Sequence, residues 1–154
     1  MKKRKIKWIE SYKEIPKSVR ESADVDKGAS FNSLIGLAGD DGVIYLVKGK
    51  ATEATLEHEK FHLMYNHPHK ERDPKMFVLH EIQANAYAYN KTKKPKHMLA
   101  QLRGIYNDIC FNTYDIDERK ALVFIYSALS RTKAPDSWKD DFQKLKEEIG
   151  DISS

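Results

Sequence analysis

Apolar and polar positions change period several times along the chain, and each change marks an element. Phe31 to Ala38 and Val43 to Val47 are strand-like, and the intervening Gly39-Asp40-Asp41-Gly42 is a hairpin signal. From Thr52 to Tyr65 the period becomes helical. At about 100° per residue, Glu53, Glu57 and Lys60 fall in one stripe with Met64, while Leu56 and Leu63, and Ala54 and Phe61, edge the opposite side. Thr52 is placed to cap that helix, with Glu53 in its first turn. Asp73-Pro74 reads as N-cap and first residue of a second helix running to about Asn90, with Phe77, Glu81, Ala84, Asn85 and Ala88 on one face. Three further helices follow, at about Pro95 to Phe111, Asp117 to Ser130 and Ser137 to Ile149, with Asp117 and Ser137 as N-caps. Met98, Leu99, Leu102, Ile105, Tyr106 and Ile109 form an apolar stripe, and Leu122 to Tyr126 a nearly continuous buried run. Ahead of the hairpin, Ile15 to Ala23 reads as a short helix beginning at Pro16, and Asp24 to Ser30 as a polar connector. The pattern predicts one α+β domain over residues 1–154, a small antiparallel sheet packed on the Thr52–Tyr65 helix with additional helices at the C-terminal end.

Composition narrows the class of protein. Of the 154 residues, 40% are hydrophobic, and the mean hydropathy is −0.68, so a modest core is available but no long apolar run. MKKRKIK has the charge of a signal peptide's start, yet Trp8-Ile9-Glu10-Ser11-Tyr12-Lys13 stands where an apolar segment belongs, and the expected location is cytoplasmic. The single cysteine, Cys110, excludes an internal disulfide framework and fits a reducing compartment. The net charge of +4 gathers in a basic arm (Lys2, Lys3, Arg4, Lys5, Lys7) and in a cluster after the second helix (Lys91, Lys93, Lys94, Lys96). Charges of both signs elsewhere, and the lack of an RNA-binding motif or C-x-x-C finger, make nucleic acid the lesser expectation for a partner.

The chemistry sits in His58-Glu59-Lys60-Phe61-His62. Histidines four apart on a helix lie one turn above each other and can present ring nitrogens to one metal ion, with Glu59 beside them to act on a water. The pattern needs a third ligand, and Glu81 on the second helix is the candidate, the small Ala84 and Ala88 on its face allowing close approach. Asn85, one turn on, is placed to accept the far ring N–H of a ligating histidine. His67 and His69, in the polar loop from Asn66 to Arg72, compete for the third position. His67 is also a candidate to stabilise the transition-state oxyanion, as is Tyr126. His80 points about 100° away from Glu81 and is not expected to ligate.

His58-Glu59-x-x-His62 followed by Glu81-x-x-Ala84-Asn85 resembles the ImmA/IrrE family of zincin-like metallopeptidases, over Val43 to Asn90. The chain departs from that family at Lys60-Phe61, where Leu-Gly is common. The resemblance implies a zincin-like domain, one zinc ion per chain held by His58, His62 and Glu81, and Glu59 as catalytic base. It further implies an intracellular peptidase, often phage- or mobile-element-borne, acting on a helix-turn-helix repressor. Two rivals stand beside this expectation: a non-catalytic zinc-containing protein that binds a protein or nucleic-acid partner, and a metallohydrolase with a non-peptide substrate. Retention of Glu59 argues against the first, because a structural metal site has no use for that carboxylate.

Overall fold

Lys5-Ile6-Lys7-Trp8-Ile9 forms strand β1, Lys5–Ile9, exposed along its length until Ile9, which is buried. The basic arm expected there is therefore paired backbone over Lys5 and Lys7, while Lys2 to Arg4 lie outside the described residues. The structure, a computed structural model, describes residues 5–22, 34–65, 67, 71–93, 98–132 and 134–153. The polar connector expected at Asp24–Ser30 and His69 fall outside them.

The chain divides into two compact units, Met1–Glu71 with Tyr87–Lys93, and Arg72–Ala86 with Lys94–Ser154. In the first unit, β1 leads through a capped 3-10 turn, Tyr12–Glu14, into helix α1, Lys17–Ser22. Strands β2, Gly36–Ala38, and β3, Val43–Val47, form the expected hairpin. Its turn is closed by Gly39 N to Val43 O at 2.8 Å and Gly42 N to Gly39 O at 3.0 Å, and Gly42 takes a φ of 80° that other residues avoid. Asp41 accepts from Val43 N and from the Tyr45 hydroxyl, and burial followed by this bond pushes the Tyr45 phenol far above its ordinary range.

The sheet order is β1-β3-β2, with β1 parallel to β3 and β2 antiparallel to it. One expectation is corrected here. The sheet is mixed rather than antiparallel, because the Lys5–Ile9 segment adds beside Val43–Val47. Strand β3 is therefore central, its backbone paired on both sides. One face of the sheet packs Tyr45 and Val47 with Ile9, Ile15 and Val19. Ile44 and Leu46 alternate to the other face and are fully buried, and helix α2, Glu53–Met64, packs against β2 and β3.

Helix α3, Pro74–Thr92, begins as expected, Asp73 Oδ1 accepting from Lys75 N at 3.0 Å. In the second unit, α4, Leu99–Asn107, continues into a π-helical turn, Asp108–Asn112, followed by α5, Glu118–Arg131, and α6, Asp136–Ser153. Buried Asp141 on α6 accepts from Met98 N at 2.7 Å, supplying the cap that α4 lacks from its own side chains. Asp117 caps α5 as expected, its Oδ1 accepting from Arg119 N at 2.8 Å.

Two further readings are corrected in this unit. Ser137 is not a cap, because α6 starts one residue earlier and its first turn closes on the Pro135 carbonyl, which accepts from Trp138 N at 3.0 Å. Leu122–Tyr126 is not a buried run. Five consecutive residues on a helix span its circumference, so Ala121, Ile125, Ala128 and Leu129 face the core while Val123 and Tyr126 are 63% and 56% exposed. Among the described residues, no helix is long and apolar enough to cross a membrane.

Candidate metal centre

Helix α2 is fixed at its start by a reciprocal cap. Thr55 N donates to Thr52 Oγ1 at 3.3 Å, and Thr52 N donates to Thr55 Oγ1 at 3.0 Å, satisfying amides that a helix end leaves open. Of the expected outward stripe, Glu53 and Met64 are exposed, whereas Glu57 and Lys60 are half-buried because they pair with each other, Lys60 Nζ donating to Glu57 Oε1 at 3.2 Å; Ala54 is buried. His58 and His62 fall on one face, one turn apart, with ring centroids 4.7 Å apart and their Nε2 atoms separated by 3.0 Å. Glu59 Oε1 lies 4.0 Å from His58 Nε2. The His58 and Glu59 side chains are 16% and 13% exposed, reachable from solvent but largely withdrawn from it.

Strand β2 approaches this face at Gly36. A Cβ there would stand 2.8 Å from Thr55 Cγ2, 3.3 Å from Leu46 Cδ2 and 3.4 Å from Glu59 Cγ, so the glycine is what lets the strand lie beside the carboxylate. At the helix C-terminus His67 contacts the last turn. His67 N donates to His62 O at 2.9 Å, and His67 Nδ1 lies 2.9 Å from His62 Nδ1.

Phe61, at the position where glycine would be common in the resembled family, is an aromatic hub. Its ring lies 4.6 Å from that of Tyr65, 5.4 Å from that of His67 and 5.5 Å from that of Tyr87. Lys91 Nζ lies over the Tyr87 ring, 5.6 Å from its centre.

On α3 the face anticipated from sequence is the inner one. Ala84, Asn85 and Ala88 are buried, and Phe77 and Glu81 half-buried. Near Glu81, Asp108 in the π-helical turn has its carboxyl pushed up, first by burial and further by the Glu81 charge, against a lowering bond from Asn112 Nδ2 at 3.1 Å. His58 and His62 offer ring nitrogens within one turn of α2, and Glu81 offers a half-buried carboxylate on α3.

Tyr126 lies in a groove of the second unit lined by Leu122, Val123, Lys139, Phe142 and Lys146, its ring 5.8 Å from that of Phe142. Cys110 is a buried thiol pushed up in pKa chiefly by burial, which is the opposite of an activated nucleophile.

Three features of the site escape a linear reading. Gly36 carried no motif, since its use is to be small where two elements meet. The ring contact of His67 depends on the chain turning back after α2. Asp108 is brought near Glu81 by a π-helical turn, a distortion that sequence period does not announce. Comparisons of the chain with protein-family models, with curated proteins and with solved structures found no match.

Proposed function

We propose that the chain is a zinc-dependent peptidase that cuts a peptide bond in a specific intracellular protein, with a DNA-binding repressor of a phage or mobile element as the substrate suggested by the family resemblance. The observation that carries this reading is the pairing of His58 and His62, their Nε2 atoms 3.0 Å apart, beside Glu59. The donor set fits the ion. Two imidazoles and a carboxylate form a known catalytic zinc set, and tetrahedral ligands at zinc–nitrogen distances near 2.0–2.1 Å stand about 3.3 Å apart. The 3.0 Å between His58 Nε2 and His62 Nε2 is close to that spacing. Glu81 supplies the third donor and one negative charge.

When bound, zinc supplies Lewis acidity that polarises the scissile carbonyl and makes water a better nucleophile near neutral pH. The protein groups do the rest. Glu59 accepts a proton from the attacking water and delivers it to the departing amine nitrogen, the role its position beside His58 allows. Leu56, Phe61 and Leu63, half-buried on the same helix, limit the water around that carboxylate.

The test is metal analysis of purified protein and of His62→Ala and Glu81→Ala, with hydrolysis of a candidate repressor and of casein by wild type and Glu59→Gln. The expected result is one zinc per chain in the wild type, loss in both ligand variants, and cleavage of the repressor reduced at least 10²- to 10⁴-fold in Glu59→Gln. Unchanged metal content in both ligand variants overturns the site. Partner binding without cleavage, equal in wild type and Glu59→Gln, replaces the peptidase with a non-catalytic binding protein.

A further inference from the structure

His67 returns to His62 twice, through its backbone amide on the His62 carbonyl and through Nδ1 against Nδ1 at 2.9 Å. The two ring nitrogens of His62 are thus both engaged, Nδ1 by His67 and Nε2 toward His58 at 3.0 Å. Between two imidazole nitrogens only one can carry the shared proton, so the contact has two polarities. If His67 donates, His62 Nδ1 is the acceptor, and the proton of neutral His62 resides on Nε2, where it blocks a metal. If His62 donates, its Nε2 carries a lone pair rather than a proton. The ring of His67 is also held from behind, against Phe61 at 5.4 Å and stacked with Tyr65 at 6.0 Å, which limits its ability to swing away.

We propose that His67 is a positioning residue: it accepts the His62 Nδ1 proton and so keeps the His62 Nε2 lone pair directed to the metal, with Phe61 bracing it. This assignment rests on the metal-site reading above and gives His67 a task outside the group of ligand atoms. It accounts for the bulky residue at position 61, since a glycine there would leave His67 without its edge-on ring contact. Balance requires His67 itself to carry its proton on Nε2. A ligating histidine commonly hands its other N–H to a carboxylate, carbonyl or water, and here a second histidine fills that place.

The test uses His67→Phe, which keeps an aromatic ring against Phe61 but removes the acceptor, and His67→Asn, whose amide oxygen restores one. Zinc affinity measured by competition with a chelating dye is expected to fall 10- to 100-fold in His67→Phe and to return to within a few-fold of wild type in His67→Asn. Nitrogen-15 NMR of the ring nitrogens in metal-free protein at about pH 8, above the ordinary histidine range, reads the tautomer directly. Wild type and His67→Asn are expected to carry the His62 proton on Nδ1, and His67→Phe to lose that preference. Wild-type zinc affinity in a folded His67→Phe, or a His62 proton on Nε2 in the wild type, overturns the proposal. A wild type that takes up no zinc defeats the metal-site reading instead, and the NMR result then decides the tautomer claim by itself.

Discussion

Gly36→Ala is the most local probe of how the sheet positions the face of α2 that carries Glu59. The added Cβ would meet Thr55 Cγ2 at 2.8 Å, where a comfortable carbon–carbon contact is about 3.5–4.0 Å, so the strand and helix must part by roughly 0.7 Å or Thr55 must rotate. Rotation is opposed by the cap, because Thr55 Oγ1 accepts from Thr52 N at 3.0 Å. Leu46 Cδ2 at 3.3 Å and Glu59 Cγ at 3.4 Å close the remaining directions. Overpacking of this kind costs about 1–3 kcal/mol, and the part relieved by moving the helix carries Glu59 with it. Urea denaturation is expected to show a lower midpoint at unchanged slope. Thr55→Ser deletes the clashing methyl and keeps the capping oxygen, so Gly36→Ala with Thr55→Ser should recover most of the loss. Stability of Gly36→Ala within about 0.5 kcal/mol of wild type, with no gain from the second change, would refute the argument that Gly36 is there to admit the helix.

Asp141→Ala should cost about 1–3 kcal/mol in chemical denaturation, because Met98 N is left buried without its 2.7 Å acceptor, and Asp141→Asn should recover part of it. Burial, more than its charged neighbours, pushes the Tyr106 phenol up to about 12. Between its unfolded value near 10 and that value the folded state keeps a proton the unfolded state releases, so stability falls as pH rises through this window. Tyr106→Phe should therefore flatten the alkaline limb of the stability curve by about 2–3 kcal/mol, and an unchanged slope would contradict the burial argument.

The parts of the fold legible in the sequence are those set by neighbours a few residues apart. Thr52, Asp73-Pro74 and Asp117 announce helix starts because a cap is a local contact, and Gly39 to Gly42 announces the hairpin because the turn conformation is local. The Lys5–Ile9 strand was hidden, since its pairing partner is Val43–Val47, far along the chain, and its lysines read as surface charge. Leu122–Tyr126 misled because an unbroken apolar run carries no period. At the site, helical spacing alone predicts that His58 and His62 converge, and that part is seen. The places of Gly36 and His67 depend on how a strand and a returning chain meet the helix, which no spacing encodes.

The parallel pairing of β1 also carries an entropy cost that the hairpin escapes. Ala38 pairs with Ile44 six positions on, whereas Lys5 pairs with Val43, 43 − 5 = 38 positions on. Closing the longer loop costs roughly 1.6 kcal/mol more in chain entropy, so the hairpin is the cheaper nucleus and β1 docks onto it afterwards. Until it does, β3 has an open edge, and the buried Ile9 that completes the core beneath Tyr45 and Val47 is still in solvent. The strand that comes first in the chain is thus the one whose pairing closes the sheet at the greater entropy cost, and it covers an edge of β3 that would otherwise be open to another strand.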